Sequence, residues 1–469
     1  MGDLDTKELI TEVTRKVLQN LELNQPSEAS GKNGIYATVD EAVEQAWIAQ
    51  KRLSTLTLQK REEIIRGMRE IIKEKGAPIA ELVVQETGMG RVKDKVVKQL
   101  LAAEKTPGTE DLQTGAFSGD HGLTIVEHAP FGVIGSVTPV TNPTATVINN
   151  AIGMVAAGNA VVFNCHPSAT KCTLRVIELL NEGIITQGGP PNLLTAVEKP
   201  TLDTAKEIMN HPRIPMLVAT GGRAVVNVIL SSGKKAIGAG AGNPPVVVDE
   251  TANIAKAARD IIAGASIDNN LHCIAEKEII AVSSIADQLL EQFSYENAVV
   301  LGSEWIEPLT RLLILDGDQG QRVNPHYIGK DIQVILKDLN HEVNDDIRMA
   351  VIEVGRDHPL VQKEQLMPVI PLVRVGDVDE AIKLAVEVEQ GNRHTAMMHS
   401  ADVNNMTKFA RSIQTTLFVK NAPSYAGIGF GGEGHTCFTI AGPTGEGLTS
   451  ARWFTRIRRC VLVDALSIV

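Results

Sequence analysis

Strands alternating with helices through most of its length predict an α/β protein built on parallel sheets, and three observations carry that expectation. Short apolar runs, "GVIGSV", "AVVF", "LLTAV" and "PMLVAT", recur between residues 132 and 220, each followed by a stretch of helical period. A second set, "PPVVVDE", "EIIAV" and "LMPVIPLVRV", repeats the pattern from about Val246. The runs lack polar alternation, which suits parallel strands covered on both faces, an architecture that binds nucleotides at its carboxyl edge.

Bulk properties bound the rest. A chain of 469 residues exceeds one hydrophobic core, so two or three domains are expected. The net charge of -11 argues against a broad nucleic-acid or anionic-membrane surface, because such proteins carry a basic footprint. Five cysteines with no CxxC pair and no ligand spacing indicate free thiols in a reducing compartment and no metal site. The longest apolar region, "ATVINNAIGMVAAGNAVVF" from Ala145, is broken by three asparagines, so no membrane span is expected.

Taken in order, residues 1–22 open with acidic residues and no continuous apolar core, so no secretory signal is expected. Leu9, Ile10, Val13, Val17 and Leu21 share one face of an amphipathic helix. Residues 23–35, around "NQPSEASGKNG", read as a linker. Such a tethered helix either docks on its own domain or binds another protein as an address. From Val39 to about Lys105 the period is helical. The alternating segments then predict a helix from Thr144 to Ala157, another from Ser168 to Glu182, and further helices beginning at Leu202 and Arg223. In the second unit, helices are expected from Asn253 and Ile285, and "DEAIKLAVEVEQG" is a third. The terminal "TRIRRCVLVDALSIV" is strand-like with no helix after it, so it should pair with another element or another subunit.

Four stretches are candidates for chemistry. "AIGAGAGNPPVVV" offers Gly238, Gly240 and Gly242, but Pro244 and Pro245 forbid a helix start there, so it reads as a tight loop leading into a strand rather than a dinucleotide fingerprint. In "PMLVATGGRAV", Gly221 and Gly222 sit between a strand and a helix whose free amides suit a phosphate or the nicotinamide end of a cofactor; a purely steric role is the alternative. Cys273, in "IDNNLHCIAEKE", has polar neighbours that suit a reachable, ionised thiol, although a free cysteine is often only a small buried hydrophobe. Its neighbour His272 is not expected to serve as its base. Asn142 lies in a rigid turn between Pro139 and Pro143, placed either to donate its amide to an oxyanion or to bond its own backbone.

Together, "ETGMGRVKDK", "PFGVIGSVTPVTNPTATVINNAI", "GAGAGNPPVVVDETA", "NNLHCIAEK", "HTAMMHS", "FVKNAPSYAGIGFGGEG" and "PTGEGLTSAR" resemble the aldehyde dehydrogenase superfamily, above all the CoA-acylating propionaldehyde and acetaldehyde dehydrogenases of bacterial microcompartments. The resemblance covers nearly the whole chain. It implies a Rossmann-type cofactor domain at 36–244, with 121–132 in a bridging arm, a catalytic domain at 245–440, and a return through 441–469 to a C-terminal oligomerisation strand, giving a homodimer or dimer of dimers. It implies that Cys273 is the nucleophile, that Asn142 and the Cys273 backbone N–H hold the oxyanion, and that Glu364 grips the nicotinamide ribose. Thr138, Pro139, His166, Pro167, Thr220, Gly221, Gly222, Gly240 and Leu366 become the remaining NAD-site residues.

Departures from the hydrolytic members matter as much. Ala239 stands where those enzymes have the glutamate that activates water, so the thioester should wait for coenzyme A. Asn164 replaces their adenosine-ribose lysine, and the turn "PVTNP" is one residue longer than theirs. The sequence does not locate the CoA site; Arg452, in "TSAR", is either a phosphate contact or a surface arginine that meets only water. Residues 2–21 match an encapsulation peptide in character, implying a shell or cargo partner and the lumen of a microcompartment. A short-chain aldehyde, propanal or acetaldehyde, is the implied substrate; a hydrolytic dehydrogenase and a catalytically idle shell component are the rivals.

Overall fold

The computed structural model describes residues 33–317 and 320–468. The amphipathic-helix reading of 1–22 and most of the linker fall outside the described residues. Four helices come first, Val39–Leu53, Leu58–Lys75, Ala77–Thr87 and Val92–Lys105. Their starts follow from local chemistry: Thr38 and Glu41 form a reciprocal capping box, and Thr57 accepts from the Lys60 N–H. Gly88, at φ 65°, supplies the left-handed C-cap that ends the third. The fourth departs from an ordinary amphipathic helix, because Lys95, Lys98 and Gln99 are buried alongside Leu101, Ala102 and Ala103.

The first sheet has six parallel strands in the order 35–36, 194–197, 160–164, 133–137, 216–220 and 235–239. Its central strands Ala160–Asn164 and Leu194–Val197 are buried at every position, as the unbroken apolar runs require. Phe163, Ile134, Ile148 and Ile152 are fully buried between sheet and helices. Each such side chain contributes about 1.5–3 kcal/mol relative to exposure. The second sheet has seven parallel strands in the order 298–301, 349–353, 369–375, 278–282, 245–248, 395–399 and 417–420.

One expectation needs correcting. The glycine run was expected to be all loop, yet Lys235–Ala239 is a strand, paired in parallel with Met216–Thr220. A Cβ on Gly238 would lie 2.6 Å from Val226 Cγ1, so the glycine lets the strand approach the Arg223–Leu230 helix, and the loop shrinks to 240–244.

Strands Gly115–Gly119 and Gly122–Pro130 form a hairpin, and Thr455–Val463 adds to it antiparallel from Thr455 opposite Pro130 to Val463 opposite Gly122. The C-terminal strand therefore pairs within its own chain. Phe117, Ile457, Val461 and Val463 are exposed on this three-stranded arm. Among the described residues no helix is long and apolar enough to cross a membrane.

Candidate active site

A cavity of about 600 Å³ opens at the carboxyl edge of the first sheet, and the second unit supplies its far wall. Cys273, Asn142, Thr138, Pro139, His166, Pro167, Thr220, Gly221, Gly222, Gly240, Glu364 and Leu366 all line it. Residues more than two hundred positions apart are thus brought together by two strand edges and one loop.

Four strand-to-helix turns reach this edge, and they differ in what their amides can bind. At the Thr170–Thr186 helix, the Glu86 carboxylate accepts the N–H groups of Lys171 and Cys172, both at 2.8 Å, so that terminus is already occupied. At the Arg223–Leu230 helix the N-cap is Gly222, which has no side chain to cap it. A Cβ at either Gly221 or Gly222 would meet nothing within 4 Å, so the cavity reaches the backbone there. The free amides and positive dipole end of this helix suit an anion. Thr138 Oγ1 in the same wall is buried without a protein partner, an orphan polar atom beside the cavity. His166 Nδ1 accepts from the Ser168 N–H at 3.1 Å, and burial lowers the imidazole's pKa. Asn164 is held by the Thr204 hydroxyl at 2.8 Å.

The loop before Cys273 explains its own composition differently from the sequence reading. Asp268, Asn269 and Asn270 have φ of 51°, 54° and 64°, three consecutive left-handed residues, a conformation that Asp and Asn tolerate far better than other side chains. Their side chains are spent on holding the loop. Asn270 Nδ2 donates to the carbonyls of Ala265 and Glu276 at 2.8 and 2.9 Å, and Asn269 Nδ2 donates to Gly329 at 3.0 Å. Lys277 Nζ donates inward to the Asn270 carbonyl, Asn270 Oδ1 and the His272 carbonyl at 2.7, 2.6 and 3.3 Å. The buried Glu276 accepts from the Ser424 N–H and hydroxyl at 2.9 and 2.8 Å. His272 packs edge-on against Phe438, and burial disfavours its protonated form, which makes it a weak base for its neighbour.

The expectation that these groups ionise the thiol is therefore corrected. Cys273 is half-buried on the cavity wall, and burial first, then the Glu364 carboxylate, push its thiol up to about 12. Lys277 acts in the opposite sense but does not prevail.

Asn142 is the N-cap residue of the Pro143–Ala156 helix, and its side chain does not bond its own backbone. Its Oδ1 instead accepts from Lys98 Nζ, so the opposite end of the amide, Nδ2, is the end left to donate. Glu364 is aligned by the next residue: buried Gln365 donates to the Lys277 carbonyl at 3.2 Å, and Leu366 follows at φ 55°. Burial raises the Glu364 pKa. Glu364 is the single carboxylate lining the cavity among the described residues, and Ala239 lies buried at its strand end beside wall residues Gly240 and Ala241. Arg452 is not in the wall; its Nε donates to Asp111 Oδ1 at 2.7 Å. Sequence reading missed Lys95, Lys98, Lys277 and Gln365. Their only signal was a pair of lysines three apart on a helix and an EKE triplet after the cysteine.

A strand edge with a glycine-opened helix terminus, a thiol and a side-chain amide in one cavity has the parts that a nucleotide-dependent enzyme with a cysteine nucleophile needs. The chain belongs to the aldehyde dehydrogenase family, whose model matches residues 25–451. It is similar to an acetaldehyde dehydrogenase (acetylating) of Bilophila wadsworthia, at 47% identity over 99% of each chain. It also resembles a propanal dehydrogenase (CoA-propanoylating) of Salmonella typhimurium, at 47% over 94% of this chain and 95% of the other. Among solved structures, a Rhodopseudomonas palustris propionaldehyde dehydrogenase with bound CoA and an acylated cysteine matches at TM-score 0.91 and 51% identity, covering 93% of this chain and all of that one. A propionaldehyde dehydrogenase from the Clostridium phytofermentans fucose utilisation bacterial microcompartment matches at TM-score 0.91 and 49% identity, covering 93% of this chain and 100% of the other.

Proposed function

We propose that the chain is an NAD-dependent, CoA-acylating aldehyde dehydrogenase converting propanal or acetaldehyde to the acyl-CoA. The observation that carries the acylating half is the cavity wall: its single carboxylate is Glu364, and Ala239 supplies no second one to activate water. Cys273 Sγ loses its proton to solvent and attacks the aldehyde carbon as the thiolate, and the negative oxygen that develops is held by Asn142 Nδ2 and the Cys273 N–H. A nicotinamide held in that cavity would supply the hydride acceptor needed to take the Cys273 thiohemiacetal to a thioester. The CoA thiol then attacks that thioester and releases Cys273. Thr138, Pro139, His166, Pro167, Thr220–Gly222, Gly240, Glu364 and Leu366 are the residues that would hold the cofactor, a role that the open terminus at Gly222 and the orphan Thr138 hydroxyl support. Excluding an activated water is the task of Ala239 and its apolar neighbours.

The test is NADH formation from propanal with and without CoA, with the product identified by mass. Steady turnover only with CoA, giving propanoyl-CoA, is the expected result. Steady release of propanoate without CoA would place the enzyme with the hydrolytic members.

Residues 2–21 are proposed to address the enzyme to a microcompartment shell or its cargo, a reading supported by their amphipathic pattern and by the microcompartment relative. Deleting them should leave kinetics in solution unchanged and disperse the enzyme from isolated compartments; co-purification at an unchanged ratio would contradict it. The exposed apolar residues of the three-stranded arm support a homodimer or dimer of dimers, which light scattering on the purified protein decides.

A further inference from the structure

The helix Val92–Lys105 buries two lysines that an ordinary surface helix would leave in water: Lys95 is 2% and Lys98 3% exposed. Lys98 Nζ donates to Asn142 Oδ1 and to Asp268 Oδ2. Lys95 Nζ donates to the Thr141 carbonyl at 3.0 Å and pairs with the same Asp268 oxygen at 2.7 Å. The other oxygen of Asp268 accepts the Arg91 N–H at 2.9 Å. One buried carboxylate thus meets two buried ammonium groups directly behind the turn that carries Asn142. Desolvating an ion pair is costly, and apolar side chains of similar volume would pack there more cheaply, so the arrangement calls for a reason other than stability.

The reason lies in the two ends of an amide. Only the N–H₂ end stabilises an oxyanion, and a flipped side chain would present its carbonyl and repel one. An ammonium group has donors alone and can bind only the oxygen end. We infer that Lys98 is a positioning residue of the acyl-transfer site: it locks the Asn142 amide with nitrogen toward the cavity and, by polarising that amide, strengthens its donation to the oxyanion. Hydrogen bonds in series reinforce one another, most strongly where the local dielectric is low. Among the described residues Asn142 Nδ2 makes no hydrogen bond, which leaves it free for substrate. The inference rests on the reading of Asn142 as the oxyanion donor. Asp268 completes the device by holding Lys98 to the same loop that presents Cys273.

A double-mutant cycle tests it, reading kcat and the KM values for propanal and NAD. Lys98→Met should lower kcat about 100-fold, the scale of one lost oxyanion donor, with KM for NAD within about threefold of the parent. Lys98→Arg, which keeps a cationic donor, should recover about tenfold of that loss. In an Asn142→Ala background the further cost of Lys98→Met should shrink to about twofold or less. A full Lys98→Met penalty in both backgrounds, or near-parental kcat in the single variant, overturns the inference while leaving Asn142 in its role. Parental kcat in Asn142→Ala would instead remove the oxyanion reading, and this inference with it. Melting temperature and NAD binding check each fold. Should the Met variant not fold, Lys98→Gln, which keeps an N–H donor without charge, carries the same cycle: a loss that disappears in the Asn142→Ala background supports the inference, and an equal loss in both overturns it.

Discussion

The Glu86 carboxylate accepts the backbone N–H of Cys172 at 2.8 Å and closes the helix terminus that follows the strand Ala160–Asn164. In many dinucleotide-binding sheets such a terminus faces the pyrophosphate. Here the charge is built in, whereas the Gly222 terminus has no side-chain cap. Glu86→Ala should therefore lower stability by about 1 kcal/mol, the usual value of a helix cap, and leave KM for NAD unchanged. Thermal melts together with NAD kinetics decide it; a markedly altered KM would show that this terminus is used by the cofactor.

Gly221→Ala should behave in the opposite way. Its added Cβ meets no protein atom within 4 Å, so the fold has room for it. The methyl group projects toward the cavity, and KM for NAD should rise by about tenfold, equivalent to roughly 1.4 kcal/mol, with the melting point unchanged. An unaltered KM would move the cofactor away from this turn.

The resting thiol has a testable pH signature. Burial and Glu364 raise the folded Cys273 thiol to about 12, so the thiolate fraction at neutral pH is small and grows as pH rises. Carbamidomethylation of the Cys273 peptide in enzyme without substrates should accelerate about tenfold per pH unit and show no plateau up to pH of about 9. A plateau below about pH 8 would show instead that Lys277 stabilises the thiolate.

Arg452→Ala should leave KM for CoA at its parental value, because the guanidinium pairs with Asp111 and does not line the cavity. Stability should fall by about 1–3 kcal/mol, because the nearly buried Asp111 carboxylate loses its partner. A weakened KM for CoA would put Arg452 at the CoA phosphate instead.

How much was legible follows from which forces are local. The strands Ala160–Asn164 and Pro245–Val248 were visible because a strand buried on both faces must be apolar throughout. Asn253 was legible as a helix start because an N-cap acts within three residues. The run Asp268–Asn270 was visible as polar but misread in purpose, since left-handed backbone leaves no apolar pattern to detect. Lys98 was invisible because its burial depends on Asp268, 170 positions away in sequence. Gly238 was legible as special but not as a strand residue, because what it makes room for, Val226, comes from the helix packed beside it.

The central claim is a covalent one, and intact-protein mass spectrometry reads it directly. Enzyme mixed with propanal and NAD in the absence of CoA should gain the mass of one propanoyl group, mapped to the peptide holding Cys273, and lose it when CoA is added, with propanoyl-CoA appearing in equal amount. Unmodified Cys273 under turnover of propanal to propanoate, or an acyl group on any other residue, would contradict the account.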